Sequence, residues 1–318
     1  MKNRTIACAL SIALLGSMGA AMVTPTSVVM AADASGTTAS LSDILKNQQS
    51  DGGWKKDYSE TSGDWAKSTI DNKATYSEIR RLAAEFSKTK DSKYSASAIK
   101  GINFLFNMQY SNGGFPQIYK SSGYHTHITY NDDAMVNVLI LLDEVANRKG
   151  DFAFIDSGVA SKAKQAVDKG VDCILKTQVT SGGKLTAWGQ QHDSSSLKPA
   201  GARAFEVPSL SASESVGIVK FLKTRPSNSQ INASIKAAEN WFNAVKISGF
   251  RYERNSSDSY IVADSSSTIW ARFYELNTNK PIFVGRDGVV KYNLKDIDQE
   301  RRAGYAWYGN WPTKIGIN

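Results

Sequence analysis

The chain has 318 residues, of which 41% are hydrophobic and 21% are charged, an ordinary composition for a soluble globular protein. Its formal net charge of +8 at pH 7 favours polyanionic partners, among them acidic polysaccharide, anionic envelope and extracellular nucleic acid. No basic run is interleaved with aromatic residues, so we expect no nucleic-acid partner.

The first 34 residues have the pattern of a secretory signal peptide. Lys2 and Arg4 form a positively charged start, residues 6–22 form an apolar run, and residues 32–34 form an A-x-A-like cleavage site. Polar residues and a proline at 24–27 interrupt this segment before it is long enough to span a bilayer. We therefore predict that residues 1–34 are removed and that the protein is secreted, with no membrane association after cleavage.

The predicted mature chain, residues 35–318, is long enough for one large domain with a sizeable core. No linker divides it, and we expect a single domain and a monomer. Its one cysteine, Cys173, lies in an apolar stretch, which predicts a buried thiol and excludes a disulfide framework.

A short pattern occurs three times in the first two thirds of the mature chain. Gln48, Gln109 and Gln178 are each separated by three residues from a pair of glycines, which is a natural helix terminator. Apolar periodicity between these motifs predicts helices at residues 75–86, 95–108, 134–146, 160–175, 213–222 and 230–245. Helix pairs at this spacing indicate stacked or ring-closed α-hairpins, so we expect an (α/α) toroid.

The pattern changes after residue 246. Short alternating runs at residues 250–254, 260–262 and 281–284 are separated by turn residues and predict a few short β-strands in the C-terminal third. Residues 268–276 predict one final short helix. The expected fold class is therefore mainly α, an irregular or incomplete (α/α) barrel with a small amount of β-structure.

Two acidic clusters precede predicted helices, TIDN at residues 69–72 and YNDDA at residues 130–134. Carboxylate and amide oxygens from separate segments can form a site for a hard cation. The alternative is a pair of ordinary helix starts, because Asn and Asp are favoured N-caps and suit the helix dipole. Spacing alone leaves open which of Asp132 and Asp133 points inward.

An arginine motif and a tryptophan motif complete the candidate site. Arg203 lies in PAGARAFE at residues 199–206, and its residue type suits a clamp for an anionic substrate that keeps its proton. Trp188 lies in TAWGQQ at residues 186–191, where its ring either stacks on a sugar or packs at a helix end.

Taken together, these motifs resemble the pectate lyases of polysaccharide lyase family 10. The resemblance runs in order along the mature chain, through residues 69–72, 130–134, 186–191, 199–206, 208–211, 270–276 and 285–288. It implies an irregular (α/α) toroid, calcium dependence, and a single catalytic domain that cleaves α-1,4-polygalacturonate by β-elimination to unsaturated oligogalacturonides.

The resemblance also implies a set of calcium ligands. Asp71, Asn72 and Asp133 are the expected ligands of Ca²⁺, with Asp132 as a further candidate. These residues supply the carboxylate and amide oxygens that calcium accepts.

The same resemblance makes Arg203 the expected Brønsted base. Because free arginine has a pKa of about 12.5–13.8, this role requires burial beside cations or a neutral minority form at alkaline pH. Arg272 and Arg286 match the family's substrate-binding arginines, and Trp188 is a further candidate for substrate binding. Salt bridges to Glu275 or Asp287 are the alternative for the two arginines.

Two other functions remain open from the residues themselves. A glycoside hydrolase on the same toroid would use Asp71 and Asp133 as its carboxylate pair, without calcium and without forming a double bond. A non-catalytic protein would hold acidic polysaccharide in a basic groove and form no product.

Overall fold

A computed structural model describes residues 38–318, and the predicted signal segment at residues 1–34 lies outside the described residues. Within this part, the chain is mainly helical. The helices are α1 (Leu41–Asn47), α2 (Tyr76–Thr89), α3 (Ser92–Met108), α4 (Ala134–Ala146), α5 (Ser157–Thr177), α6 (Ala212–Lys223), α7 (Ser229–Val245) and α8 (Gln299–Gly304). The single-domain assignment of residues 35–318 stays a prediction.

Three of the long helices begin at side-chain caps, and the long helices pack as hairpins. Asp91, Asp156 and Asn228 accept hydrogen bonds from backbone N–H groups in the first turns of α3, α5 and α7. Helices α2 and α3, α4 and α5, and α6 and α7 pack against each other. Contacts of α4 with α2 and α6 form one layer, and contacts of α5 with α3 and α7 form the other. This arrangement of α-hairpins confirms the expected (α/α) toroid.

The three repeated glutamines join successive hairpins. Each follows an outgoing helix, α1, α3 or α5, as its C-terminal cap residue. The Nε2 atoms of Gln48, Gln109 and Gln178 donate at 2.8–2.9 Å to a carbonyl of their own loop (Gly52, Gly113, Thr186) and to one of the next helix in the layer (Ser97 in α3, Ala166 in α5, Ser234 in α7). The repeat in the sequence is therefore a structural joint between hairpins.

We expect Gln109→Leu to lower the free energy of unfolding by about 2–4 kcal/mol, because both carbonyls that Gln109 contacts would lose their partner. Urea unfolding followed by far-ultraviolet circular dichroism would measure the change. Gln165 is exposed on α5, so Gln165→Leu is the matched control and should stay within about 0.5 kcal/mol of the unchanged protein. Equal stability of the two variants would contradict the role of Gln109 as a joint.

The β-structure lies mostly in the C-terminal third, as expected. The strands are β1 (Ile128–Thr129), β2 (Thr180–Ser181), β3 (Lys184–Leu185), β4 (Gln191–His192), β5 (Leu210–Ser211), β6 (Ile247–Arg254), β7 (Ser259–Ala271), β8 (Phe273–Tyr274), β9 (Pro281–Val284), β10 (Val290–Lys291) and β11 (Tyr308–Gly309). Their antiparallel pairing gives the strand orders β11-β7-β6, β10-β9-β8-β5, β1-β4 and β2-β3. The pair β5-β8 connects the start of α6 to the C-terminal sheet.

The expected helix at residues 268–276 is wrong, because this segment contains the end of β7 and all of β8. A short apolar run does not distinguish helix from strand by periodicity, and here tertiary pairing decides. Ile269 pairs with Ile247 of β6, Ala271 with Tyr308 of β11, and Phe273 with Ser211 of β5. Arg272 is consequently held at the junction of two sheets.

The core is a continuous apolar cluster whose largest fully buried side chains include Trp54, Trp188, Trp270 and Trp307. Cys173 is buried with a free thiol, as predicted, and burial raises its pKa to about 12. Among the helices between residues 38 and 318, none combines the length and apolar character needed to cross a membrane.

Candidate active site

Two strained turns carry the acidic clusters. The 3₁₀ turn Asp71–Lys73 precedes α2 and the 3₁₀ turn Asn131–Asp133 precedes α4. Asn72 has φ 45°, Asp132 has φ 51° and Asp133 has φ 59°, a left-handed conformation that is uncommon outside glycine and recurs at functional sites. Asp133 occupies the N-cap position of α4, but its side chain makes no capping hydrogen bond. The acidic clusters are therefore not ordinary helix caps.

The two turns meet at one cleft of about 190 Å³. Its walls include Asp71, Asn72, Asn131, Asp132 and Arg203, which come from three separate segments of the chain. A larger pocket of about 720 Å³ lies between α4 and α6. The structure therefore brings four of the eight predicted site residues, Asp71, Asn72, Asp132 and Arg203, together in the smaller cleft.

Asp71 is buried and held in one orientation by two donors. Its Oδ2 atom lies 3.0 Å from the ammonium of Lys56, and its Oδ1 atom accepts a hydrogen bond of 3.0 Å from Gln117. Gln117 in turn contacts Nδ1 of His125 at 2.8 Å. Sequence reasoning missed both supporting residues, because they contact Asp71 across 15 and 46 positions of the chain.

The structure separates Asp132 from Asp133. Asp132 lines the cleft beside Asp71, and its Oδ1 atom lies 3.8 Å from the guanidinium of Arg272. Asp133 instead lines the larger pocket and points at Gly217 of α6, where an added Cβ would lie 2.0 Å from its Oδ1 atom. The structure thus places Asp132, the second-ranked candidate, beside Asp71, whereas Asp133, the first-ranked candidate, lines the neighbouring pocket; which of the two binds calcium stays a prediction. Consecutive residues of the turn point to different sides, and a glycine on α6 leaves room for one of them.

The pKa values of Asp132 and Asp133 are both raised above the ordinary value of an aspartate. Loss of hydration raises the pKa of Asp132, and the negative charges of Glu214 and Asp71 act in the same direction. Burial, with the charges of Glu214 and Asp132, raises the pKa of Asp133 to about 6. A cation in the cleft would relieve the excess negative charge around Asp132.

Arg203 reaches the cleft from the loop before α6 and is held by Glu206. Its Nε atom donates to Oε2 of Glu206 at 2.7 Å, and a second nitrogen donates to Oε1. Glu206 is buried and also accepts a hydrogen bond of 3.0 Å from the hydroxyl of Tyr305. The hydrogen bonds to Glu206 raise the pKa of Arg203 above its ordinary value, so this contact stabilises the charged guanidinium.

The two other arginines occupy different environments. Only 11% of the Arg272 side chain is exposed, and it pairs with Glu214 behind Asp132. Burial lowers the pKa of Arg272, but the charges of Glu214, Tyr305 and Asp132 and the hydrogen bond to Glu214 together outweigh it, and the net shift is upward. The Arg286 side chain is 63% exposed, donates to Glu300 at 2.9 and 3.0 Å, and does not line the cleft.

These partners differ from those that the salt-bridge alternative named. Arg272 pairs with Glu214 and not with Glu275. Arg286 pairs with Glu300 and not with Asp287. The structure therefore places Arg272 next to the candidate site and leaves Arg286 outside its walls.

The expectation that Trp188 stacks on a sugar is wrong. The residue is 0% exposed, and its indole N–H donates to the carbonyl of Ile174 at 2.7 Å, as Trp54 does to Ile44 at 2.8 Å. It packs at a helix end, which was the alternative. Trp65 and Tyr124 are the aromatic residues on the cleft wall. Both lie in short polar segments without apolar periodicity, and this was the available signal, because binding residues are often carried by loops.

The cleft fits a hard cation of mixed coordination. Across residues 38–318, no group of three or more His, Cys, Asp or Glu side chains is arranged to hold a metal ion. The cleft combines two carboxylates, Asp71 and Asp132, with the amide side chains of Asn72 and Asn131. Calcium accepts such a set together with water or substrate oxygens, whereas zinc prefers nitrogen and sulfur ligands.

Comparisons with known proteins agree over nearly all of the described chain. A family model described as pectic acid lyase matches residues 40–316. A solved family 10 polysaccharide lyase from Cellvibrio cellulosa is 37% identical with a TM-score of 0.81, covering 89% of this chain and 94% of that chain. A mutant of the family 10 polysaccharide lyase from the same organism, in complex with trigalacturonic acid, is 38% identical with a TM-score of 0.81, covering 87% and 91%. Among curated proteins, none matches.

Proposed function

The chain belongs to the pectic acid lyase family and is a pectate lyase, and from this premise we propose that it is secreted, depends on calcium and cleaves α-1,4-polygalacturonate to unsaturated oligogalacturonides. The observation that carries the proposal is the meeting of Asp71, Asn72, Asp132 and Arg203 in one cleft. The trigalacturonic acid bound to the Cellvibrio relative supports an acidic polysaccharide substrate. Secretion is supported by the signal pattern of residues 1–34.

The proposed reaction is a β-elimination on a uronic acid unit. A base removes the proton from C5, the C4–O bond breaks, a C4=C5 double bond forms, and the departing oxygen takes up a proton. Negative charge develops on the carboxylate attached to C5. Groups that are oriented in advance toward this charge contribute the largest catalytic effect in many enzymes.

The chain's own residues divide this work. Asp71, Asn72 and Asp132 are proposed to hold Ca²⁺, with Asn131 as a further oxygen donor at the same wall. Bound calcium supplies electrostatic stabilisation to the substrate carboxylate. Arg272, beside Asp132, supplies a fixed positive charge at the edge of the cleft.

Arg203 is proposed as the base. Its place in the cleft and its match to the family motif support this role. Its contact with Glu206 favours the protonated form, so the neutral form is scarce near neutral pH. A base of this kind works best under alkaline conditions.

The observations favour this proposal over the two alternatives, a glycoside hydrolase and a non-catalytic polysaccharide-binding protein. A hydrolase pair of Asp71 and Asp133 would have to flank one glycosidic bond, but the two carboxylates line different pockets. Membership of a lyase family argues equally against a protein that only binds polysaccharide.

The test is to incubate the exported protein with polygalacturonate and calcium at alkaline pH and follow the ultraviolet absorbance of unsaturated product. We expect chelator to abolish turnover and calcium to restore it better than magnesium, because calcium tolerates irregular mixed-oxygen coordination. A sample without enzyme controls for elimination by alkali. New reducing ends without ultraviolet absorbance would indicate hydrolysis, and full activity in excess chelator would exclude the calcium requirement.

A further inference from the structure

Tyr305, which lies between α8 and β11, belongs to none of the motifs that indicated the site. It is buried, and burial raises the pKa of its hydroxyl well above the ordinary value. The group therefore stays protonated and has one proton to donate. That proton goes to Oε1 of Glu206 at 3.0 Å, while the hydroxyl oxygen accepts a hydrogen bond of 3.1 Å from Gln190.

Each hydroxyl contact leads to a residue of the cleft. Glu206 holds the guanidinium of Arg203, so the first contact orients the carboxylate that orients the proposed base. Gln190 also donates to Oδ1 of Asn131 at 2.6 Å, so the second contact leads to the turn that carries Asp132.

The ring of Tyr305 provides a third link. The guanidinium carbon of Arg272 lies 4.7 Å from the ring centroid, which is cation–π geometry. The ring itself is held by Phe205, Phe273 and Trp307, at centroid distances of 5.5, 6.0 and 5.1 Å. Tyr305 thus contacts Glu206, which holds Arg203, and Gln190, which holds the Asp132 turn, and its ring contacts the buried Arg272.

We propose that Tyr305 is a positioning residue of the lyase reaction, whose hydroxyl keeps Arg203 and the Asp132 turn in register through Glu206 and Gln190. This inference rests on the proposed function. The ring alone is sufficient to fill the aromatic core, whereas the hydroxyl makes its hydrogen bonds to residues that line or support the cleft. The hydroxyl is therefore the part of the residue to remove.

Tyr305→Phe is expected to lower kcat by roughly tenfold or more and to change KM by less than about threefold, because misplaced catalytic groups act on the transition state. Far-ultraviolet circular dichroism should match the unchanged protein. Tyr308→Phe is the matched control, since Tyr308 lies three residues further along in β11, packs against Tyr252 and Phe283, does not line the cleft and should keep its kcat.

A double-mutant cycle separates positioning from a general loss of structure. If Tyr305 acts through Glu206, adding Tyr305→Phe to Glu206→Ala, which removes the acceptor of the Tyr305 hydroxyl, should lower kcat by a clearly smaller factor than Tyr305→Phe does in the unchanged protein. Fully multiplicative effects would overturn the inference, as would an unchanged kcat in Tyr305→Phe. A Tyr305→Phe chain that does not fold would also overturn it, by making the hydroxyl a requirement of folding.

The same assay separates this inference from the proposed function. Absence of unsaturated product with the unchanged protein would overturn both. Normal turnover by both the unchanged protein and Tyr305→Phe would overturn only the role of Tyr305.

Discussion

Arg203→Lys is expected to lose roughly 10²–10⁴-fold in kcat, the contribution typical of a positioned general base, while the protein remains folded. Lysine keeps the positive charge but loses the planar fork that contacts both oxygens of Glu206. Its ammonium would lie at a different distance from the substrate, and proton abstraction depends on position before pKa. Initial rates of unsaturated product formation, with circular dichroism as the folding check, would measure the loss.

Two further arginine variants serve as controls. Arg272→Lys should raise KM more than it lowers kcat, because it replaces the planar guanidinium beside the cleft, which can contact a carboxylate through two nitrogens, and leaves the base unchanged. Arg286→Lys should leave both parameters close to those of the unchanged protein, since Arg286 is exposed and paired with Glu300 outside the cleft. An Arg203→Lys variant that retains most of its kcat would leave Arg203 as a charged clamp.

The pH profile tests the same assignment independently. The pKa of Arg203 is raised by its hydrogen bonds to Glu206, so its neutral fraction increases about tenfold per pH unit below that pKa. If Arg203 acts as the base, kcat should rise with pH from neutrality to the limit of protein stability. A flat profile above neutrality would contradict the base role.

The second large effect concerns the two carboxylates of the cleft, Asp71 and Asp132. Asp132→Ala and Asp71→Ala are expected to lower kcat by roughly 10²–10³-fold, the loss typical when one preorganised electrostatic contact to the transition state is removed. Asp133→Ala should change kcat by less than about tenfold, because its carboxylate lines a different pocket. All three variants should keep the far-ultraviolet circular dichroism of the unchanged protein.

Calcium titration by calorimetry separates the ligands from their neighbours without relying on turnover. Binding should weaken in Asp132→Ala and Asp71→Ala and persist in Asp133→Ala, which is matched in residue type and adjacent in sequence. If Asp133→Ala loses both calcium binding and activity while Asp132→Ala retains them, the ligand assignment returns to Asp133.

Local features of the sequence were sufficient for the architecture and the family. Apolar periodicity located the long helices, and the repeated glutamines with their glycine pairs marked the joints between hairpins. The ordered blocks from residue 69 to residue 288 identified the resemblance to pectate lyases, which the family match confirmed. These features are readable because helix periodicity and motif spacing depend on near neighbours.

Tertiary structure alone decided how the site is assembled. Asp132 and Asp133 lie in the same turn. Asp132 lines the cleft, whereas Asp133 lines a separate pocket, where Gly217 of α6 leaves room for its carboxylate. Trp188 lies in the core, where its indole N–H donates to a backbone carbonyl of α5. The contact of Tyr305 with Glu206 crosses 99 positions of the chain. Sequence patterns carry no record of such partners, because the direction of a side chain in a left-handed turn and its long-range contacts follow from how the elements pack.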